Sequence, residues 1–174
     1  LLASNVRNRG GVPAIIAVIN GEIKVGLNDL EAEQLAKPGE KILKLNAADI
    51  GPCLSAKLTG ATTVSATMAC AALAGIRIFA TGGIGGVHRG ASETGDISQD
   101  LTALSRYPVA VIASGAKAIL DLPKTLEYLE TVGVPVIGLG TDEFPAFWTR
   151  KSGLKLQWRA DNAAQAAKIG RAHV

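Results

Sequence analysis

The residues with the most chemical potential lie between Ile76 and Lys117. The apolar run IRIFA predicts a buried strand that ends at Thr81. Glycine then fills four of the five positions 82–86, which we call the glycine loop. Without side chains, backbone N–H groups in such a loop can approach an anion closely. We therefore predict that the loop lies next to a phosphate group and that Thr81 and Gly83 bind the substrate, although a tight connection without a ligand is the alternative.

Ionisable side chains follow the glycine loop. His88 and Arg89 come directly after it, and Asp96 and Asp100 lie four residues apart. A helix predicted over residues 97–106, with Asp96 at its cap, would put both carboxylates on one face. Mg²⁺ and Mn²⁺ often bind one or two carboxylates plus water and phosphate, so the spacing permits a metal site without being specific for one. The alternatives are a simple cap for Asp96, a solvated Asp100 and a structural hydrogen bond for His88.

Lys117 is the most informative single residue. It follows the strand predicted at residues 109–113, within VAVIASGAKAIL, and no acidic residue follows it before Asp121. Partial burial, together with a helix predicted at residues 116–121, would favour the neutral amine, which suits imine formation with a sugar aldehyde. The alternative is a lysine whose stem packs on apolar surface while its ammonium reaches water.

The predicted elements alternate between strands and helices. This order predicts an α/β fold with three layers, α/β/α, around a mixed and largely parallel sheet. Asn20-Gly21 predicts a hairpin, and Lys44 near the end of its strand is interpreted as a phosphate or carboxylate partner. The predicted strands are 13–19, 22–27, 41–45, 76–80, 109–113, 136–139 and 154–158. The predicted helices are 1–9, 30–36 (ended by Pro38-Gly39), 64–74 (capped by 60–63), 97–106, 116–121 and 124–132.

Composition excludes several classes of protein. The chain has 174 residues, 48% apolar and 19% charged, with a mean hydropathy of +0.26, as expected for a globular domain. A net charge of +3 without a basic block makes nucleic-acid binding a weak interpretation. Cys53 and Cys70 form no CxxC pattern, which is typical of reduced thiols in a cytoplasmic protein. We find no membrane-spanning run and no secretory leader.

Long stretches of the sequence resemble the pseudouridine-5′-phosphate glycosidase family, which includes indigoidine synthase A-like proteins. The similar stretches are VPAIIAVINGEIKVGL, GATTVSATMACAALAGIRIFATGGIGGVHRGASETGDISQDL, VAVIASGAKAILDLPKTLEYLETVGVPVIG and GTDEFPAFWTRKSG. The resemblance implies reversible cleavage of the C–C glycosidic bond of pseudouridine 5′-phosphate, giving uracil and ribose 5-phosphate. It also implies a lysine imine, a Mn²⁺ or Mg²⁺ cofactor and a cytoplasmic homotrimer.

The resemblance also assigns roles to individual residues. Lys117 matches the imine-forming lysine, His88 the histidine of the GGVHR block, and Asp96 the metal-bearing aspartate. The residues that match the lining of the sugar-phosphate site are Lys44, Val64, Ser98, Gln99 and Asp100.

The chain also departs from the family pattern. The family has basic residues after the Lys44 position, where this chain has Asn46-Ala47-Ala48-Asp49. The family's acid–base glutamate and base-contacting asparagine have no counterpart in the sequence. We therefore interpret residues 1–160 as the central part of a glycosidase domain and 161–174 as a truncated continuation. The last six residues, IGRAHV, are hypothesised to be a non-native tail, so His173 receives no functional role.

Two other functions remain open on the residues alone. One is another imine-forming phosphosugar enzyme, similar to an aldolase. The other is a phosphate-binding module without catalysis. In each case the partner would be a small molecule.

Overall fold

The structure is a computed structural model that describes residues 2–37 and 42–172. It divides into two compact units, Leu1–Gly75 and Ile76–Val174. The elements of the first unit are α1 (Leu2–Arg7), β1 (Ile16–Ile19), β2 (Glu22–Val25), α2 (Asp29–Ala36), β3 (Leu43–Leu45), a 3₁₀ turn (Ala47–Asp49), α3 (Ile50–Ser55), β4 (Gly60–Thr62) and α4 (Val64–Leu73). Those of the second unit are β5 (Ile78–Ala80), α5 (Ala91–Thr94), α6 (Gln99–Arg106), β6 (Ala110–Ile112), α7 (Leu122–Thr131), β7 (Ile137–Leu139), β8 (Trp158–Ala160) and α8 (Ala163–Ala172).

A four-stranded mixed sheet in the order β2-β1-β4-β3 organises the first unit. Strand β1 is buried along its length and pairs antiparallel with both β2 and β4, while β3 pairs parallel with β4. Asn20 and Gly21 join β1 to β2 with φ angles of 50° and 79°. Both angles lie in the left-handed region that a tight two-residue hairpin requires, so the predicted hairpin is confirmed.

Strand β4 corrects one sequence-based prediction. Residues 60–63 were expected only to cap the following helix, but Gly60–Thr62 form a strand between β1 and β3. A Cβ at Gly60 would lie 2.5 Å from Leu45 Cγ, so the close strand contact requires glycine. Thr63 does cap α4, and it accepts a hydrogen bond from the N–H of Ala66. The apolar helix α4 is buried almost all round, as predicted.

The second unit contains two short parallel sheets, β5 with β6 and β7 with β8. The prediction that β5 is a buried strand is wrong, because Ile78 is 66% exposed. Side chains alternate across a strand, so Ile78 and Ala80 share one exposed face while Phe79 is partly covered on the other. The same alternation leaves Ile112 of β6 53% exposed.

The fold class is α/β with parallel strands, as predicted. The described strands lie in three sheets rather than in one. Strand β8 begins at Trp158, later than the predicted strand 154–158. The predicted stop at Pro38-Gly39, the strand start at Lys41 and His173 lie outside the described residues. Within the described ranges, no helix combines the length and the apolar character needed to cross a membrane.

Candidate functional site

The glycine loop pairs with residues 114–117, which we call the Lys117 segment. The N–H of Ser114 donates to the Gly82 carbonyl at 3.1 Å, and the N–H of Ile84 donates to the Gly115 carbonyl at 3.1 Å. The N–H of Lys117 then donates to the Ile84 carbonyl at 3.2 Å. These bonds continue the parallel pairing of β5 and β6 beyond the ends of both strands. They hold the backbone of Lys117 directly beside the glycine loop, at the carboxyl ends of two parallel strands, where ligands of α/β proteins commonly bind.

Asp100 fixes the second half of the glycine loop. The residue is 6% exposed, and its carboxylate accepts a hydrogen bond from the Gly85 N–H at 2.8 Å. A Cβ at Gly85 would collide with the Ser98 hydroxyl and lie 2.9 Å from the Asp100 carboxylate. The alternative of a solvated Asp100 is therefore excluded, because this residue is buried against the loop that it positions.

Thr125 of α7 fixes Val87, the residue directly after the glycine loop, and it was not among the predicted site residues. The Thr125 hydroxyl accepts a hydrogen bond from the Val87 N–H at 3.0 Å and donates one to the Asp121 carbonyl at 2.7 Å. The Asp121 N–H in turn donates to the Val87 carbonyl. A Cβ at Gly86 would lie 2.5 Å from this hydroxyl. The available signal was a threonine four residues before Leu129 on the apolar face of an amphipathic helix.

His88 and Asp96 lie together at the two ends of the segment that residues 88–96 form. Val87 and Ile97 form an antiparallel bridge, and the His88 N–H donates to the Asp96 carbonyl at 3.0 Å. Their side chains approach to 3.7 Å between Nδ1 and Oδ2, and both are partly exposed, at 42% and 62%. The sequence therefore selected two side chains that the structure brings together, although their spacing of eight residues carries no helical signal.

The predicted helix over residues 97–106, with Asp96 as its cap, needs correction. Helix α6 begins at Gln99, and Ser98 is its cap, with the Ser98 hydroxyl accepting the Asp100 N–H at 3.3 Å. Asp96 precedes this helix, so Asp96 and Asp100 do not share a helix face. Asp100 is buried while Asp96 is exposed, which separates their chemical roles. Ser98 and Gln99 are half-buried at the start of α6.

Lys117 differs from its prediction in one respect. Its side chain is exposed in the described structure, although the preceding Ala116 is fully buried. Residues 116–121 are not helical, because α7 begins only at Leu122, with Asp121 as its cap. The predicted partial burial and the predicted helix N-terminus at Lys117 are therefore both wrong. The structure holds the backbone of this residue firmly and leaves its amine accessible to a ligand.

A metal ion would find few protein ligands here. Among the described residues there is no group of three or more His, Cys, Asp or Glu side chains arranged to hold one. The exposed carboxylate of Asp96, beside His88, fits only a site that water and a substrate phosphate complete, which is a common arrangement for Mg²⁺ and is compatible with Mn²⁺.

The other two predicted lining residues belong to the first unit. Lys44 lies on β3 with an exposed side chain, paired in register with Ala61. Val64 is the first residue of α4, and the residue is 8% exposed and part of the core of that unit. Only the backbone of Val64 is therefore suited to ligand contact, whereas Lys44 offers a charged group.

The family profile and the similar proteins point to the same family. The profile of the family described as "Indigoidine synthase A like protein" matches residues 2–174. Pseudouridine-5′-phosphate glycosidases from Solibacter usitatus and Myxococcus xanthus are 62% and 57% identical over 97% and 96% of this chain. The chain spans only about half of these relatives, 56% and 55% of their lengths.

Two solved structures share the fold. A prealnumycin C-glycosynthase in complex with ribulose 5-phosphate is 44% identical, with a TM-score of 0.93 over 99% of this chain and 56% of its own. An indigoidine synthase A-like protein from Thermotoga maritima is 36% identical, with a TM-score of 0.89 over 98% of this chain and 56% of its own.

Proposed function

Because this chain belongs to the indigoidine synthase A-like family, we propose that it forms part of an enzyme acting on C-glycosides of phosphorylated sugars. The specific reaction that we propose is reversible cleavage of pseudouridine 5′-phosphate to uracil and ribose 5-phosphate. The names of the relatives support this substrate, and the sugar phosphate bound to the C-glycosynthase supports the phosphosugar half. A cytoplasmic location and a homotrimer belong to the same proposal.

The observation that carries the proposal is the hydrogen-bonded pairing of the Lys117 segment with the glycine loop. In this arrangement the backbone of a lysine with an exposed side chain lies beside a loop whose glycines leave room for a phosphate. The C1′–C5 bond of pseudouridine offers no oxygen or nitrogen leaving group, so the chemistry of two carboxylates in ordinary glycosidases fits poorly. A lysine nucleophile supplies the alternative.

The reaction balances through a covalent sugar adduct. The Lys117 amine bonds C1′ as the C1′–O4′ bond opens, and O4′ takes up the proton that the nitrogen releases. C5 of uracil then takes a proton, and the C1′–C5 electrons pass into the pyrimidine ring while the nitrogen lone pair forms a C=N bond. Water hydrolyses the resulting imine to ribose 5-phosphate and restores the amine. The proton for C5 needs a general acid, which the family resemblance assigns to a glutamate absent from this sequence.

The other residues have supporting roles in this proposal. Ser98, Gln99 and the glycine loop line the phosphate, while Asp100 holds the loop through Gly85. His88 is proposed to move protons at the sugar, and its exposed imidazole next to Asp96 suits that role. Asp96 would hold Mn²⁺ or Mg²⁺, which would neutralise negative charge on the substrate. Lys44 and Val64, which belong to the first unit, keep the sugar-phosphate roles that the family resemblance implies.

Borohydride trapping tests the lysine directly. Incubation with ribose 5-phosphate and borohydride should add the mass of the sugar phosphate less one oxygen atom to a peptide containing Lys117. Lys117→Ala should abolish this adduct. Lys155→Ala, which removes another exposed lysine of the second unit, should leave it intact. A protein that binds phosphate but gives no adduct would instead be a phosphate-binding module.

The aglycone is tested separately. The full-length protein, incubated with uracil, ribose 5-phosphate and Mn²⁺, should form pseudouridine 5′-phosphate. Trapping without this product would favour either an aldolase-like enzyme or a C-glycosynthase with another aglycone, and the 44% identical neighbour favours the latter.

A further inference from the structure

Phe147 has an unusual backbone conformation. Its φ angle is 62°, and the other described non-glycine residues with positive φ are Asn20 and Lys57. Asn20 occupies a hairpin turn, and asparagine tolerates this region well, whereas a bulky aromatic residue rarely adopts it. Such a conformation persists only where the surrounding structure imposes it, and it often marks a functional site.

Hydrogen bonds to the Lys117 segment impose this conformation. The Phe147 N–H donates to the Ser114 carbonyl at 2.9 Å, and the neighbouring Ala146 forms an antiparallel bridge with Gly115. Gly115 has a φ angle of 80°, and the Pro145 carbonyl leaves no room for a Cβ on it. The turn around Phe147 is therefore fixed to the backbone that leads into Lys117.

The aromatic ring contacts the glycine loop. A Cβ at Gly83 would lie 2.5 Å from Phe147 Cδ2, and one at Gly82 would lie 3.3 Å from Cε2. The ring thus occupies the space that side chains at these two positions would need. It is half-buried, so part of it faces the surroundings of the loop.

We propose that Phe147 is a positioning residue that sets the Gly82–Gly83 backbone against the Lys117 segment, and that its ring forms one wall of the sugar-phosphate site. The inference rests on the proposed function for the identity of the ligand. Its structural part stands on the contacts alone. In this arrangement one residue joins the phosphate-binding loop to the nucleophile, through its ring on one side and its backbone on the other.

Four variants separate this role from simple packing. Phe147→Ala removes the ring but leaves a residue with a Cβ in the unfavourable left-handed conformation. Phe147→Gly also removes the ring, and glycine adopts this conformation without strain. Phe147→Tyr keeps the ring. Trp148→Ala is the matched control. The Trp148 ring packs edge-on against the Phe147 ring, with 4.7 Å between the ring centroids, and Trp148 is 84% exposed.

The first measurement is the rate of borohydride trapping at Lys117 against ribose 5-phosphate concentration, together with thermal unfolding. Phe147→Ala and Phe147→Gly should both lower the trapping rate at saturating sugar phosphate by about tenfold or more, since small displacements of reacting groups are costly. Phe147→Gly should nevertheless unfold at a higher temperature than Phe147→Ala. Phe147→Tyr and Trp148→Ala should trap at close to the parent rate. Trapping that simply follows thermal stability across the four variants would overturn the inference.

Amide hydrogen exchange provides a readout that does not depend on the proposed function. Phe147→Ala should speed exchange at Ile84 and Lys117, whose N–H groups make the bonds between the two segments, and should leave α4 unchanged. Failure of the parent protein to trap the sugar, with this exchange pattern present, would count against the proposed function and support the positioning role. Unchanged exchange at both amides would overturn the positioning role itself.

Discussion

The core of the first unit and the candidate site of the second unit are ordered by different kinds of contact. In the first unit, α4 and β1 are buried along nearly their whole length, and side chains such as Met68 and Val18 have no exposed surface. In the second unit, the strands beside the site leave apolar side chains exposed. There, hydrogen bonds between loop backbones and close contacts at glycines set the geometry.

Substitutions should therefore act differently in these two regions. Removal of side-chain volume should be costly in the first unit, because packing supplies its order. Addition of a single methyl group should be costly beside the site in the second, because glycine backbones lie against neighbouring atoms there.

Met68→Ala should give the largest loss of stability, about 2–5 kcal/mol, because Met68 is fully buried in α4 and truncation leaves a cavity. Hydrogen exchange of α4 amides, or urea unfolding followed by circular dichroism, measures the loss. Leu73→Ala is the control on the same helix, since Leu73 is 80% exposed and should change stability by less than about 0.5 kcal/mol. Equal effects of the two substitutions would show that packing does not order this unit.

Gly115→Ala should cost about 2–4 kcal/mol in the second unit, because the methyl group meets the Pro145 carbonyl in addition to the strain at φ 80°. Both tryptophans, Trp148 and Trp158, lie in this unit, so fluorescence during urea unfolding reports it. Gly133→Ala is the matched control, with φ 73° and open space around the added methyl, and it should cost only about 1–2 kcal/mol. If Gly133→Ala cost as much, the close contact at Gly115 would contribute nothing.

Thr125→Val should destabilise the second unit by about 1–3 kcal/mol, because the buried Val87 N–H loses its acceptor. Thr125→Ser keeps the hydroxyl and should therefore retain most of the stability that Thr125→Val loses. Thr131→Val on the same helix removes an exposed hydroxyl that bonds only within the helix, and its effect should be close to zero. In the active full-length protein, Thr125→Val should also slow imine trapping, because Val87 directly precedes His88.

Sequence analysis succeeded where structure depends on nearby residues. The Asn20-Gly21 hairpin and the buried helix α4 follow from local turn geometry and apolar patterning. Strand β4 was missed because pairing with β1 and β3, both distant in sequence, overrides the turn signal of its glycine and threonines.

The candidate site shows the same division. The sequence selected His88, Asp96 and Lys117 by residue type, and the structure joins His88 to Asp96 and Lys117 to the glycine loop. The exposure of Lys117 and the burial of Asp100 depend on tertiary contacts that no local pattern encodes. Phe147 was missed because its left-handed conformation is imposed by a bond to Ser114, far earlier in the chain.

The smallest expected effect concerns the thiols of the first unit. Burial raises the pKa of Cys70 above its ordinary value of 9.0, and burial followed by the charge of Asp49 raises the pKa of Cys53. A folded-state pKa above the unfolded value means that the neutral thiol stabilises the fold. This contribution is fully present below about pH 9 and falls as pH rises through the folded-state pKa, because the unfolded chain then releases a proton that the folded chain retains.

Urea unfolding of the first unit at pH 7 and at about pH 10 measures this contribution, using circular dichroism and the parent beside Cys70→Ala. The parent should lose slightly more stability with rising pH than Cys70→Ala, since other groups titrate equally in both. The difference in pH dependence, rather than the absolute stability, carries the result, because the substitution also removes volume from α4. Identical pH dependence in the two proteins would mean that the Cys70 thiol ionises as easily in the folded chain as in the unfolded one. Helix α4 would then be less well shielded from water than the 1% exposure of Cys70 indicates.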